Sequence, residues 1–211
     1  MSGIRIRRWS AGLEGGLTVS SVLALSVTAF VANAAETAAG SPGKETVSLD
    51  AVTPEFVAAC LRIAREQYDY VLVDIAPSWT NWSYAALSRS DMIVLVTQLT
   101  VAGIRQSLRQ IQTIEANGLT QIPLKIVLNR HDTGWRLGTS AHVKDAEITL
   151  GRKFDFVLPN DFKLVSEAIN QGVPLSAISK RSSLEKAMRR MYGDLRAELH
   201  AEASALEAHV M

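Results

Sequence analysis

A single cysteine, Cys60, stands in 211 residues, which rules out an internal disulfide framework and a thiolate-rich metal site. Excess charge of either sign is missing too. Lysine and arginine number 22 against 21 acids, a net charge of +1, so no global field argues for nucleic acid or an acidic membrane as partner. The four histidines, His131, His142, His200 and His209, are spread along the chain without an H-E-x-x-H pair and do not read as metal ligands. No glycine-lysine pair is followed by serine or threonine. What is abundant is ordinary: hydrophobic residues make up 47% and charged residues 20%, enough apolar surface to offset the ordering entropy of one α/β domain.

The first 35 residues admit three readings. "IRIRRW" is basic, residues 15–35 carry no charge, and the apolar run ends in Ala32-Asn33-Ala34, the pattern of a secretory signal and its cleavage site. A transmembrane helix fits less well, because Thr18, Ser20, Ser21, Ser26 and Thr28 dilute the run. The third reading takes residues 17–31, rich in valine and threonine, as one or two buried strands.

Residues 36–50, "ETAAGSPGKETVSLD", hold the one glycine and lysine cluster that could be tested as a phosphate cradle. In a G-x-x-x-x-G-K-[ST] loop, backbone N–H groups wrap the phosphates, the lysine reaches the outer ones and the hydroxyl meets magnesium. Aligned on Gly43-Lys44, Ala38 takes the place of the leading glycine and Glu45 that of the hydroxyl. A carboxylate there repels the phosphates, and the next helix signal comes only at Thr53-Pro54. The stretch reads as a linker.

From there helices and strands alternate. Thr53-Pro54-Glu55 is an N-cap, a first-turn proline and a first-turn acid, and Val57, Cys60, Leu61 and Ala64 follow as one core stripe. "YDYVLVDIAP" predicts a strand covered on both faces of a parallel sheet. A helix near residues 82–90 leads to the strand "MIVLVT". A helix over 101–117, stopped by Gly118, has Val101, Ile104, Leu108, Ile111 and Ile114 as its core stripe, with Arg105 and Arg109 outside, and leads to "LKIVLN". Ser140 caps a helix to about residue 150, the strand "FDFVLP" follows, and then a helix over 161–170. A last helix from about Ser182 carries Leu184, Met188, Met191, Leu195 and Leu199 on one side. Its basic start, with Lys180, Arg181, Lys186, Arg189 and Arg190, suits a helix packed on the sheet better than one lying on a membrane. The expected fold is α/β: three layers, a mostly parallel sheet with helices on both faces.

Asp74 ends its strand before a proline loop, and Asn129 and Pro159-Asn160 end two others. Each could be a mere strand end or helix cap. In order and spacing, however, "YDYVLVD", "PSWTNWSYAALSRSDMIVLVTQLTVAGIR", "IVLNR" and "LPNDFKLVSEAINQGVPL" resemble the ParA/MinD family of deviant-Walker ATPases, and most closely its CpaE/TadZ branch, associated with tight-adherence type IV pili. The resemblance implies a P-loop NTPase-like fold with ATP and Mg as cofactors. It implies that Asp74 orients the metal ion through water, that Asn129 bonds the adenine edge, and that Pro159 and Asn160 close over the base.

The family's phosphate loop, and the βα units after it, have no match in residues 1–52. The expectation is a truncated or degenerate member, with residues 1–50 an unmatched segment and linker and residues 51–211 the C-terminal portion of the domain. Without the lysine and the loop amides the triphosphate loses its electrostatic partners, so hydrolysis should be weak or absent. The expected role is an ATPase-like localisation or scaffolding protein of pilus assembly. It would be cytoplasmic, recruited to the cell pole or inner membrane, and partnered by pilus or secretion assembly proteins. It would also form a homodimer, with indirect membrane contact and no specific nucleic acid. Two alternatives stand beside it: an active ParA/MinD-type ATPase whose phosphate loop is missing through truncation or a wrong start, and an exported binding protein with a signal peptide. Trp79 and Trp82 could anchor a partner or pack over a helix start.

Overall fold

Thr53 opens the first described helix as its chemistry requires: its hydroxyl accepts the Phe56 N–H at 3.2 Å, and proline takes the first helical position of α1 (Pro54–Gln67). The computed structural model describes residues 22–26, 52–132 and 139–210, and the chain divides into two units, Met1–Ser90 and Asp91–Met211.

In the first unit, β1 (Val22–Ser26) runs parallel to β2 (Tyr70–Asp74), in register from Val22 opposite Tyr70 to Ser26 opposite Asp74. Over these five residues the backbone follows the strand reading of the N-terminal segment. Val71 and Val73 of β2 pack with Val57 and Leu61 of α1 and with Trp82 and Ala86 of α2 (Asn81–Leu87). Trp82 is thus a core residue. The Thr80 hydroxyl accepts the Ser83 N–H at 3.2 Å, and the Thr80 N–H donates to the Ser83 hydroxyl at 2.8 Å, a capping box that fixes the start of α2. Two expectations need correction. Cys60 is half-buried, at the edge of a stripe whose centre is Val57, Leu61 and Ala64. Leu72 of β2 is 57% exposed, so an unbroken apolar run here alternates in burial and only one of its faces is packed among the described residues.

The second unit contains β3 (Ile93–Gln98), α3 (Val101–Ala116), β4 (Leu124–His131), α4 (Thr139–Leu150), β5 (Phe156–Pro159), α5 (Phe162–Gln171), α6 (Leu175–Ile178) and α7 (Ser183–Val210). Its sheet is parallel, in the order β3-β4-β5. Consecutive β4 residues define its two faces. Ile126 packs with Ile104 and Ile111 of α3 and with Ala146 and Leu150 of α4. Val127 packs with Leu158 and Leu184, joined by Leu175 and Met191. Helices therefore cover both faces, the three layers expected.

Most caps and breakers fall within a residue of where the sequence put them, but Ser140, read as a cap, is a residue of α4 itself, which already begins at Thr139. Gly118, at φ 71°, ends α3; Asp161 caps α5, its carboxylate accepting the Leu164 N–H at 3.2 Å; the Ser182 hydroxyl accepts the Glu185 N–H at 3.0 Å at the start of α7. The four-residue α6 carries too short a pattern to announce itself. The α3 stripe also shifts: Val101 is 73% exposed, while Ser107 is buried between Ile104 and Ile111. Residue 101 precedes the first turn that meets the sheet, and position 107 falls on the buried face whatever its polarity. The basic start of α7 is packed on the sheet through Leu184. There Arg189 bonds the buried Glu185 carboxylate at 2.6 Å, and that hydrogen bond, ahead of the charge attraction, raises the guanidinium pKa.

Candidate functional site

Ligands of open parallel sheets bind beyond the carboxyl ends of the strands. In the second unit those ends are Gln98, His131 and Pro159, with Gln98 in register with Asn129. The chain leaves β3 by a tight turn in which the Thr100 hydroxyl caps α3 by accepting the Gly103 N–H at 3.0 Å. A Cβ at position 103 would stand 2.7 Å from the Gln98 carbonyl oxygen and 2.9 Å from the Thr100 hydroxyl, so only glycine fits.

At the end of β4 the ladder with β5 breaks register between Leu128 and His131, a bulge that re-aims the strand end. Arg130 is held there at φ 54°, a left-handed conformation uncommon for a non-glycine residue. The Asn129 side-chain oxygen accepts the Arg130 N–H at 2.8 Å. His131 then pairs with Pro159, and its carbonyl accepts the Asn160 N–H at 2.9 Å. Backbone pairing thus brings Asn129, Pro159 and Asn160 to one edge of this sheet. Asp74 is elsewhere in the chain: it ends β2 in the first unit, exposed and opposite Ser26.

Asn129 makes the local turn bond that a plain strand end would make. Its carbonyl oxygen has a second lone pair and its NH2 two donors, so the same amide can still serve a ligand edge. Sequence reasoning missed two features at this edge. The ring Nδ1 of His131 is buried without a hydrogen-bond partner, and Arg130 carries the unusual backbone angle; neither the bulge nor the angle has a marker in "LNRHD" beyond the turn-forming asparagine.

Asp74 offers a single carboxylate, and among the described residues no group of three or more His, Cys, Asp or Glu could hold a metal ion. Mg²⁺ keeps several waters and needs only one or two carboxylates beside phosphate oxygens, so Asp74 suits a water-mediated contact and not a protein cage. Toward a nucleotide base, the Asn129 amide has donor and acceptor capacity beyond its turn bond. The triphosphate has no G-K-[ST] loop in the sequence, and Lys44 lies outside the described residues.

Comparison with known proteins converges on one group. The AAA domain family matches residues 44–126. A protein named as the septum site-determining protein MinD of Guillardia theta is 28% identical over 144 residues, 68% of this chain and 52% of that protein. The sporulation initiation inhibitor protein Soj of Bacillus subtilis is 25% identical over 126 residues, 58% of this chain and 49% of Soj. The chain therefore spans about half the length of these curated relatives. Among solved structures, a ParA family ATPase from Chlorobium tepidum superposes with a TM-score of 0.58 at 23% identity, over 69% of this chain and 59% of that one. The MinC:MinD complex of Aquifex aeolicus gives 0.54 at 24% identity, over 68% and 60%. The ATP complex of Cyanothece McdA(D38A) gives 0.55 at 17% identity, over 80% and 62%. The fold is the α/β, P-loop NTPase-like fold of the ParA/MinD structures.

Proposed function

We propose that the chain is a ParA/MinD-type relative acting as an ATPase-like localisation or scaffolding protein, and that its system is the assembly of tight-adherence type IV pili. The reading is supported by the strand-end edge of the second unit, where the strands that carry Asn129 and Pro159 end together and Asn160 bonds the His131 carbonyl, in a fold matched to nucleotide-binding relatives. On this reading Asn129 bonds the adenine edge, Pro159 and Asn160 flank the base, and Asp74 meets magnesium through water. The partners are assembly proteins and a second copy, as MinD assembles with MinC in the Aquifex complex. Its place of action is the cytoplasm, at the pole or the inner membrane, with membrane contact through partners. No helix among the described residues is long and apolar enough to cross a membrane.

Binding of a fluorescent ATP analogue, with and without Mg²⁺, tests the site. Asn129→Ala should weaken binding by about tenfold, the value of one or two hydrogen bonds to the base, with hydrolysis at background in both proteins. Equal affinity for the two would overturn the assignment. For the wider role, deletion of the gene should remove surface pili, and re-expression should restore them. The second reading, an active ATPase whose phosphate-binding part lies outside this sequence, is favoured by the half-length match to the relatives. Turnover that depends on Asp74 would establish it in place of the scaffold.

A further inference from the structure

The sheet of the second unit has two edges, and they are built differently. β5 is four residues long and closes on Pro159; shortness and proline are what blunt an exposed edge. β3 is six residues long, "IVLVTQ", without proline, glycine or charge. Its Ile93 N–H donates to the carbonyl of Pro123, just before β4, at 2.9 Å. Backbone direction alternates along a strand, so Ile93, Leu95 and Thr97 are turned to β4, and the N–H and C=O groups of Val94 and Val96 are turned to the outer side. Among the described residues no strand pairs with that side. Two donors and two acceptors of the main chain are thus left for a partner along one short stretch.

The side chains point to the same use. Ile93 and Thr97 are buried, and Leu95 packs with Ile104 and Ile111 of α3. On the opposite face Val94 is 41% and Val96 56% exposed. They lie in register with Lys125 and Val127 of β4, where α7 covers the sheet: Lys125 bonds Glu198 at 2.7 Å, and Val127 packs with Leu184 and Met191. α7 therefore covers β4 and leaves the neighbouring valines of β3 bare. Met188 and Tyr192, at four-residue steps from Leu184, are exposed on α7 itself.

An uncharged strand offers nothing to a charged ligand, whereas open backbone groups are read by another strand. A two-fold axis makes β3 its own complement, because an isologous contact pairs a patch with itself. We infer that β3 is a self-association edge, through which two copies pair antiparallel and join their sheets. With the axis through Leu95, Val94 of each copy stands opposite Val96 of the other, and each such pair exchanges two N–H···O=C bonds. The valines of both copies then share one face as cross-strand neighbours. Six residues a side span roughly 20 Å, so the buried area falls short of the about 800 Å² per partner of a standard interface and the dimer is weak. The pairing gives a surface to the second copy invoked above and rests on that reading for its biological use, but the contact itself needs no nucleotide.

Sedimentation equilibrium and amide hydrogen exchange, at protein concentrations from micromolar to millimolar, test it. The wild type should pass from monomer to dimer with little change in high salt, since no charges meet across the pair. The Val94 and Val96 amides should exchange at least about tenfold more slowly in the dimer than in the monomer, while those of Leu95 and Thr97, already turned to β4, change little. Val94→Lys with Val96→Lys sets like charges directly opposite one another and should weaken association at least about tenfold. A urea titration of that variant shows whether its fold is kept, and the exchange pattern of the wild type reads the contact without any substitution. Asn129→Ala should associate like the wild type, so failure of the nucleotide site and failure of the edge are told apart. A wild type monomeric at every concentration would overturn the inference. So would a dimer whose Val94 and Val96 amides exchange as fast as in the monomer, or a folded lysine variant that associates like the wild type.

Discussion

Leu72 on β2 leaves 57% of its surface exposed, whereas Leu128 on β4 is fully buried, although "YVLVD" and "LKIVLN" are equally apolar runs. The difference lies in the neighbours. β4 has β3 on one side and β5 on the other, with packed helices against both faces. β2 pairs with β1 and packs its valines on α1 and α2. An apolar run states what a strand can bury; the elements around it decide how much it does.

The contrast is broken most strongly by truncation. Leu128→Ala should cost about 2–5 kcal/mol of stability, because the buried side chain leaves a cavity on removal, whereas Leu72→Ala should change stability by less than about 0.5 kcal/mol. Paired urea titrations of the two variants check this, and similar losses would erase the contrast. A smaller effect concerns what fastens β4 to its neighbour. The Asp155 carboxylate accepts the Ile126 N–H at 2.7 Å while the Asp155 N–H donates to the Ile126 carbonyl at 2.9 Å. Asp155→Ala should cost about 1.5–3 kcal/mol, the range for a hydrogen bond to a charged group, and should speed amide exchange at Ile126. Gly103→Ala tests the turn after β3: the added carbon meets backbone oxygen, and a loss of about 1–3 kcal/mol is expected in the same titration.

The smallest effect returns to the first unit, where Cys60 lies half-buried beside the packed stripe of α1. Burial raises its thiol pKa, so near pH 8 the folded protein should react with iodoacetamide more slowly than the urea-unfolded chain. The sign follows from which state holds the proton more tightly. A raised folded pKa contributes stability that is intact below the ordinary thiol range and is lost as pH rises through the folded value. The native and unfolded alkylation rates should therefore converge as pH rises.

Much of this architecture was legible because its signals are local. Thr53-Pro54, Gly118, Asp161 and Ser182 act within one turn of the chain, and each cap or breaker sits within a residue of its expected place. The strand ends carrying Asn129 and Pro159-Asn160 were legible for the same reason. Their convergence was not, since it depends on a register shift between strands separated by α4. The burial of Ser107 and the exposure of Val101 were hidden too, because side-chain polarity says nothing about the angle at which a helix meets its sheet.

By itself the sequence determined where helices start and stop, that strands alternate with them in parallel order, and that no disulfide can form within the chain; these follow from backbone chemistry and residue counts. Only the tertiary structure decided which apolar runs are covered on both faces and how the β4 bulge turns Arg130 and His131. Those properties come from packing between segments far apart in the chain, where no single stretch of residues contains both partners.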